Sequence, residues 1–152
     1  MEQAAMTHPH VRRVRPDDET NWTALFRDYV AFYRANVADD VIALTWSRVL
    51  DAGSGMISLV AVDEADTPVG LALIVLHRSS WSKTWYCYLE DLFVAADQRG
   101  RGLGLALIEA VYAEADLHGA TRTYWVTEED NEAAQRLYAR VAKKAPYVQF
   151  RR

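Results

Sequence analysis

The sequence predicts an α/β (α+β) fold, a mixed and mostly antiparallel central sheet with helices on both faces. Two observations carry this reading. Successive apolar strands joined by turn-rich segments, Ile57 to Val62, Val69 to His77 and Tyr86 to Val94, predict hairpins. The stretch Tyr86 to Leu107, YCYLEDLFVAADQRGRGLGLAL, then runs from a strand through a polar loop into a glycine-rich helix start. At 152 residues the chain has the size of one domain, residues 1–152, with enough length for a single core.

In chain order, His10 to Arg15 alternates as a short first strand, which Pro16 ends. Asp17, Asp18 and Glu19 open a first helix with Trp22, Leu25, Phe26, Tyr29, Val30 and Tyr33 at helical spacing, extending to about Asn36. Asp39 and Asp40 open a second, with Ile42, Trp46, Val49 and Leu50 expected inward and Gly53 and Gly55 as the stop. The polar run Arg78 to Lys83 predicts a hairpin loop into the Tyr86 to Val94 strand. After the glycines, Leu103, Leu107, Ala110, Val111 and Leu117 fall on or near one helical stripe, with Gly119 as the stop. Thr121 to Thr127 reads as a strand, Asn131 to Ala142 as a helix, and Tyr147 to Phe150 as a closing strand. No internal repeat, linker or low-complexity tract interrupts the chain.

Composition excludes several classes. Hydrophobic residues make up 51% and charged residues 25%, an ordinary globular balance. The longest apolar run, Val69 to Leu76, is too short to span a bilayer. The opening MEQAAMTHPHVRR has no basic-then-apolar export pattern. A single cysteine, Cys87, fits a reducing compartment, hence a cytoplasmic location, and reads as a small buried strand residue. With 17 basic and 21 acidic residues the net charge is −4, so no nucleic-acid or membrane partner is indicated. His8, His10, His77 and His118 lack metal-ligand spacing, and no metal is expected.

The glycine loop carries the chemistry. Gly100, Gly102 and Gly104 let backbone approach a ligand, and the helix start points unpaired N–H groups and a positive dipole end outward. That is an anion site, commonly for phosphate, and Arg99 and Arg101 add formal charge. A dinucleotide fingerprint fails, because its last glycine would fall on Leu105 or Leu107. The Gly-Lys-Ser/Thr of a nucleotide-triphosphate loop is absent. What remains is Arg-x-x-Gly-x-Gly at Arg99, Gly102 and Gly104, after the strand LEDLFV. A second constellation follows: Asn131, Ala134, Tyr138 and Val141 share one helical face. Asn131 could equally serve as a plain helix cap and Tyr138 as an edge of the core.

These two motifs, in this order, resemble the signatures of the GNAT N-acetyltransferases over about Tyr86 to Val141. YLEDLFV, YWVTEEDN and LYARVAKKAP, with Tyr29, Phe32 and Tyr33 on the first helix, resemble the branch that includes histone, polyamine and D-amino-acid N-acetyltransferases. The resemblance implies the GNAT fold and acetyl-CoA as co-substrate. Gly100 to Leu105, including Leu103, would bind its pyrophosphate with Arg99 and Arg101 in support, next to Asn131 and Ala134 on the last helix. Leu92, Phe93 and Val94 would run alongside the pantetheine arm, the Val94 N–H polarising the thioester carbonyl.

For the acceptor, the resemblance implies a primary amine that must shed a proton, with Glu90 and Asp91 as candidate bases. Neighbours on a strand point to opposite faces, so only one should face the acceptor unless a bulge intervenes. Similarity to the polyamine enzymes favours Glu90; Asp91 stays open, as does a pair that only binds the cation. Tyr138 matches the family's general acid. Asp28, Tyr29, Phe32 and Tyr33 would select a cationic amine, and seven acidic residues against three arginines between Asp17 and Asp51 agree with that. A small polyamine or amino-acid-like amine leads, a protein lysine follows, and transfer is expected to be direct, in a ternary complex. The rival reading is a non-catalytic acyl-CoA-binding sensor. With only about ten residues after the last helix, a partner subunit is expected to complete the sheet edge in a homodimer.

Overall fold

The computed structural model describes residues 10–152; His8 and the rest of the first nine residues lie outside them. Five strands form one sheet in chain order: β1 (Val11–Arg13), β2 (Met56–Val62), β3 (Pro68–His77), β4 (Tyr86–Val94) and β5 (Arg122–Tyr124). The first three pairings are antiparallel and β4–β5 is parallel. Four helices flank it: α1 (Glu19–Phe32), α2 (Asp39–Leu50), α3 (Leu103–Leu117) and α4 (Glu132–Ala139). No helix among the described residues is long and apolar enough to cross a membrane.

Strand alternation divides the core between the two faces of the sheet. Leu59, Ala72, Ile74, Cys87 and Leu89 pack with Leu107, Ile108 and Val111 of α3. Val60, Leu71 and Leu73 pack with Trp22, Phe26, Ile42 and Trp46 of α1 and α2. A buried polar chain fastens α1 to the sheet: Trp22 Nε1 donates to Ser58 Oγ at 2.9 Å, and Ser58 Oγ donates to the Ala72 carbonyl at 3.0 Å. Arg13 of β1 donates from Nε and Nη2, one edge of its guanidinium, to the two oxygens of the buried Glu114 carboxylate of α3.

Several expectations need correction. α1 stops at Phe32, short of Asn36, because Arg34 turns left-handed (φ 53°) and lets Ala35 N–H reach the Val30 carbonyl at 3.1 Å. Leu50 and Leu117, expected inward, are exposed at the ends of their helices. β5 spans three residues, not the whole of Thr121 to Thr127. The expected closing strand does not form: Tyr147 to Phe150 is irregular and its aromatic side chains are exposed.

The feature that positions the site is a bulge in β4. Leu73 faces Asp91 while Ile74 faces Leu89, so Glu90 is the extra residue. The bulge inverts the parity of the strand. Cys87 and Leu89 before it, and Leu92 and Val94 after it, all face α3. Phe93 faces the opposite side, among the side chains of α1 and α2. Glu90 and Asp91 therefore both face the α1–α2 side instead of opposite sides.

Candidate active site

β4 and β5 pair only from Tyr86 to Tyr88 against Arg122 to Tyr124. Beyond that point the sheet is split, and the edge of β4 from Leu89 to Val94 is open. Ala95 N–H donates to the Val69 carbonyl of β3 at 2.9 Å, so alternation turns the N–H groups of Val94 and Leu92 toward the open edge.

The start of α3 lies at the end of this split. Gly100 (φ 79°) and Gly102 (φ 76°) adopt left-handed backbone, which glycine enters without strain. A Cβ at either position would meet no protein atom within 4 Å, so both glycines present bare backbone to open space. The first helical bond runs from Ala106 N–H to the Gly102 carbonyl at 3.0 Å. Among the described residues, no acceptor takes the N–H groups of residues 102–105. These donors, at the positive end of a fifteen-residue helix, fit a pyrophosphate. Gly104 serves packing instead, since a Cβ there would come 3.2 Å from Leu137 Cδ2 and its absence lets α3 approach α4. Arg99 folds back over the loop, Nε donating to the Val94 carbonyl at 3.0 Å with the guanidinium 5.0 Å from the Phe32 ring. Arg101 is exposed beside the glycines.

On the α1–α2 face a cavity of about 470 Å³ opens beside the bulge. Glu90, Asp91, Tyr29 and Tyr33 line one part of it. Burial pushes the Asp91 carboxyl up to about 6, with Glu90 adding repulsion and a hydrogen bond to Tyr29 opposing both. Burial and Asp91 raise the Tyr29 hydroxyl above its ordinary value. Tyr29 also meets Tyr33 edge-on at 5.3 Å and Phe93 at 5.8 Å. Phe32 and Asp28, both exposed, are not among the lining residues. Phe32 instead borders a neighbouring polar cavity of about 430 Å³ together with Tyr33, Arg34, Glu128, Asp130 and Asn131.

Tyr33 borders both cavities, and Asn131 at the start of α4 lines the second of them beside it. Asn131 is also the helix cap, its Oδ1 accepting from Ala134 N–H at 3.2 Å. Tyr138, one face of α4 further on, packs edge-on against Trp125 at 5.4 Å. Burial, helped by Tyr33, pushes its hydroxyl up to about 12, so it keeps its proton at neutral pH. The structure thus brings Glu90, Asp91, Tyr29 and Tyr33 into one cavity and connects them through Tyr33 to the Asn131–Tyr138 face. The far wall of the cavity, Val37 from the segment before α2, Val41 from α2, and Met56 and Val75 from the sheet, had not been singled out from the sequence. The available signal was Val41 itself, an apolar residue beside Asp40 and off the Ile42–Trp46–Val49 stripe.

The chain and its fold have counterparts among known proteins. The acetyltransferase (GNAT) family model matches residues 19–142. The D-amino-acid N-acetyltransferase HPA3 of Saccharomyces cerevisiae (strain ATCC 204508 / S288c) is 34% identical over 143 residues, covering 93% of this chain and 89% of that protein. The solved structure of AAC(6')-Iy in complex with the bisubstrate analogue CoA-S-monomethyl-acetylneamine has a TM-score of 0.80 at 20% identity, over 93% of this chain and 95% of that one. An integron cassette protein from the mobile metagenome of Cole Harbour Salt Marsh reaches 0.82 at 17% identity, over 95% and 90%. Fold and family together define an acyl-transferring enzyme. The chain belongs to the acetyltransferase (GNAT) family and is an N-acetyltransferase; acetyl-CoA is the donor that this family uses.

Proposed function

We propose that the enzyme moves the acetyl group from acetyl-CoA directly to the primary amine of a small molecule, both substrates being bound at once. The observation that carries this is the β4 bulge, which sets two carboxylates on one face beside the split in the sheet. The N–H groups of residues 102–105 hold the pyrophosphate, with Gly100 and Gly102 leaving room and Arg99 and Arg101 beside them. Leu92 and Val94 offer N–H groups to the pantetheine arm and to the thioester carbonyl. The amine arrives as an ammonium with a pKa near 10.4. Asp91 takes its proton, and Glu90 holds the cation in place. Asp91 is preferred because its raised value lies close to the working pH, where a base is most effective. The amine nitrogen then attacks the carbonyl carbon, the C–N bond forms and the C–S bond breaks. Tyr138 gives its proton to the departing sulfur and regains one as the nitrogen releases its second proton, leaving the amide, the thiol and the first proton on Asp91.

A D-amino acid, the substrate in the yeast relative's name, is one candidate acceptor, and a lysine side chain is another. The Tyr138→Phe variant tests the mechanism. Turnover should fall by roughly a hundredfold or more while acetyl-CoA affinity stays within about threefold, read by thiol release and calorimetry. An unchanged rate would remove Tyr138 from the reaction. We also propose that the enzyme works as a homodimer, the exposed segment 143–152 lying against a second copy. Sedimentation of a chain ending at residue 142 should then show monomer where the full chain shows dimer; a monomeric full chain would reject this.

A further inference from the structure

We infer that the acceptor is a primary amine carried on an uncharged, apolar body, with no carboxylate on the amine-bearing carbon. This rests on the acetyl-transfer reading and names the substrate class of the same cavity. The charge pattern of the cavity is one-sided. Its ionisable lining consists of Glu90 and Asp91 with the hydroxyls of Tyr29 and Tyr33, and no Lys, Arg or His lines it among the described residues. Away from the carboxylates the wall is Val30, Val37, Val41, Met56 and Val75, with Thr45 as its polar member.

An ammonium placed at Glu90 and Asp91 is well matched. The body attached to it must then lie along the aliphatic wall, where contact is with methyl groups. The carboxylate of an amino acid is held two bonds from its nitrogen. It would sit beside Glu90 and Asp91, repelled by both and without a cation to accept. Arg34 lines the neighbouring cavity on the other side of Tyr33, together with Glu128 and Asp130, and Arg99 is turned to the Val94 carbonyl and the Phe32 and Phe93 rings, outside the cavity lining. The second ammonium of a diamine fares no better, because the far wall offers it no carboxylate.

The test compares matched acceptors with the full-length enzyme and acetyl-CoA, reading thiol release. Phenethylamine is set against D- and L-phenylalanine, and hexylamine against hexamethylenediamine. The expected result is kcat/KM for phenethylamine and hexylamine higher than for their counterparts by roughly tenfold or more. Equal or better turnover of the amino acids or the diamine overturns the inference and leaves acetyl transfer standing. No turnover of any of these amines, or of a lysine peptide, overturns the acetyl-transfer reading itself. Val41→Arg, on an exposed helix position at the apolar wall, supplies a cation for a carboxylate. It should narrow the preference for phenethylamine over D-phenylalanine by about threefold or more; an unchanged ratio would show that the body does not lie along that wall.

Discussion

Asp91 meets two opposed demands. Half-buried beside Glu90, its carboxyl is pushed up to about 6 from an ordinary 3.8, yet the proposed role as base needs it ionised. Between those two values the folded chain holds a proton that the unfolded chain has released. Stability therefore falls as pH rises through that window, and the full cost is present above about pH 6. Asp91→Asn removes this cost. At pH 8 the variant should be more stable than the parent by an order of 1–3 kcal/mol in urea unfolding, with the difference gone near pH 3. Its turnover should drop at least about a hundredfold. The parent's kcat/KM should rise with pH through about 6. Normal turnover in Asp91→Asn, with turnover lost in Glu90→Gln, would transfer the base's role to Glu90. Tyr29 tunes this group: its hydrogen bond favours the ionised carboxylate, so Tyr29→Phe should move the acid limb upward.

Among the elements, α1 bears most on the acceptor cavity, since it supplies Tyr29 and Tyr33. Its anchor is the Trp22–Ser58–Ala72 hydrogen-bond chain beneath the apolar contacts. Ser58→Ala leaves a fully buried indole N–H without an acceptor, at a cost of about 1–3 kcal/mol in urea unfolding. A loss under about 0.5 kcal/mol would mean that the indole finds another partner. The strands and helices were largely legible because their hydrophobic periods are clean, and Asp39, Asp40 and Gly119 mark ends with ordinary charge and turn chemistry. The bulge was half legible. The residues of β4 that face α3 are 87, 89, 92 and 94, and the three-residue step falls across the only adjacent carboxylates in the strand. That spacing implies an extra residue, although sequence alone does not say which neighbour supplies it. The end of α1 was not legible, because a left-handed Arg34 has no glycine or asparagine to announce it. The Tyr147–Phe150 strand was misjudged for another reason. Aromatic and β-branched residues favour a strand only where there is an edge to pair with, and this chain leaves them exposed.

Across the whole molecule, the split sheet divides the labour. The β1–β2–β3 side, covered by α1 and α2 on one face and α3 on the other, is a rigid frame. The β4–β5 gap, the start of α3 and the face of α4 surround the space that the frame leaves open. In the proposed mechanism the amides at the loop hold one end of the donor and the bulged carboxylates hold the acceptor, with the end of β4 between them. The loop was the easier half to read, since glycine spacing and a helix start are local. The acceptor wall was the harder half, because it is assembled from α2, β2 and β3, far apart in the chain. The most direct measurement is a titration of ¹⁵N-labelled enzyme with coenzyme A, following each backbone amide by NMR. The expected result is saturable shifts concentrated at residues 102–105 and at Leu92 and Val94, with the Val37–Val41 wall unmoved. Shifts confined to other surfaces, with the amides of residues 102–105 unaffected at saturation, would contradict the placement of the donor and with it the mechanism.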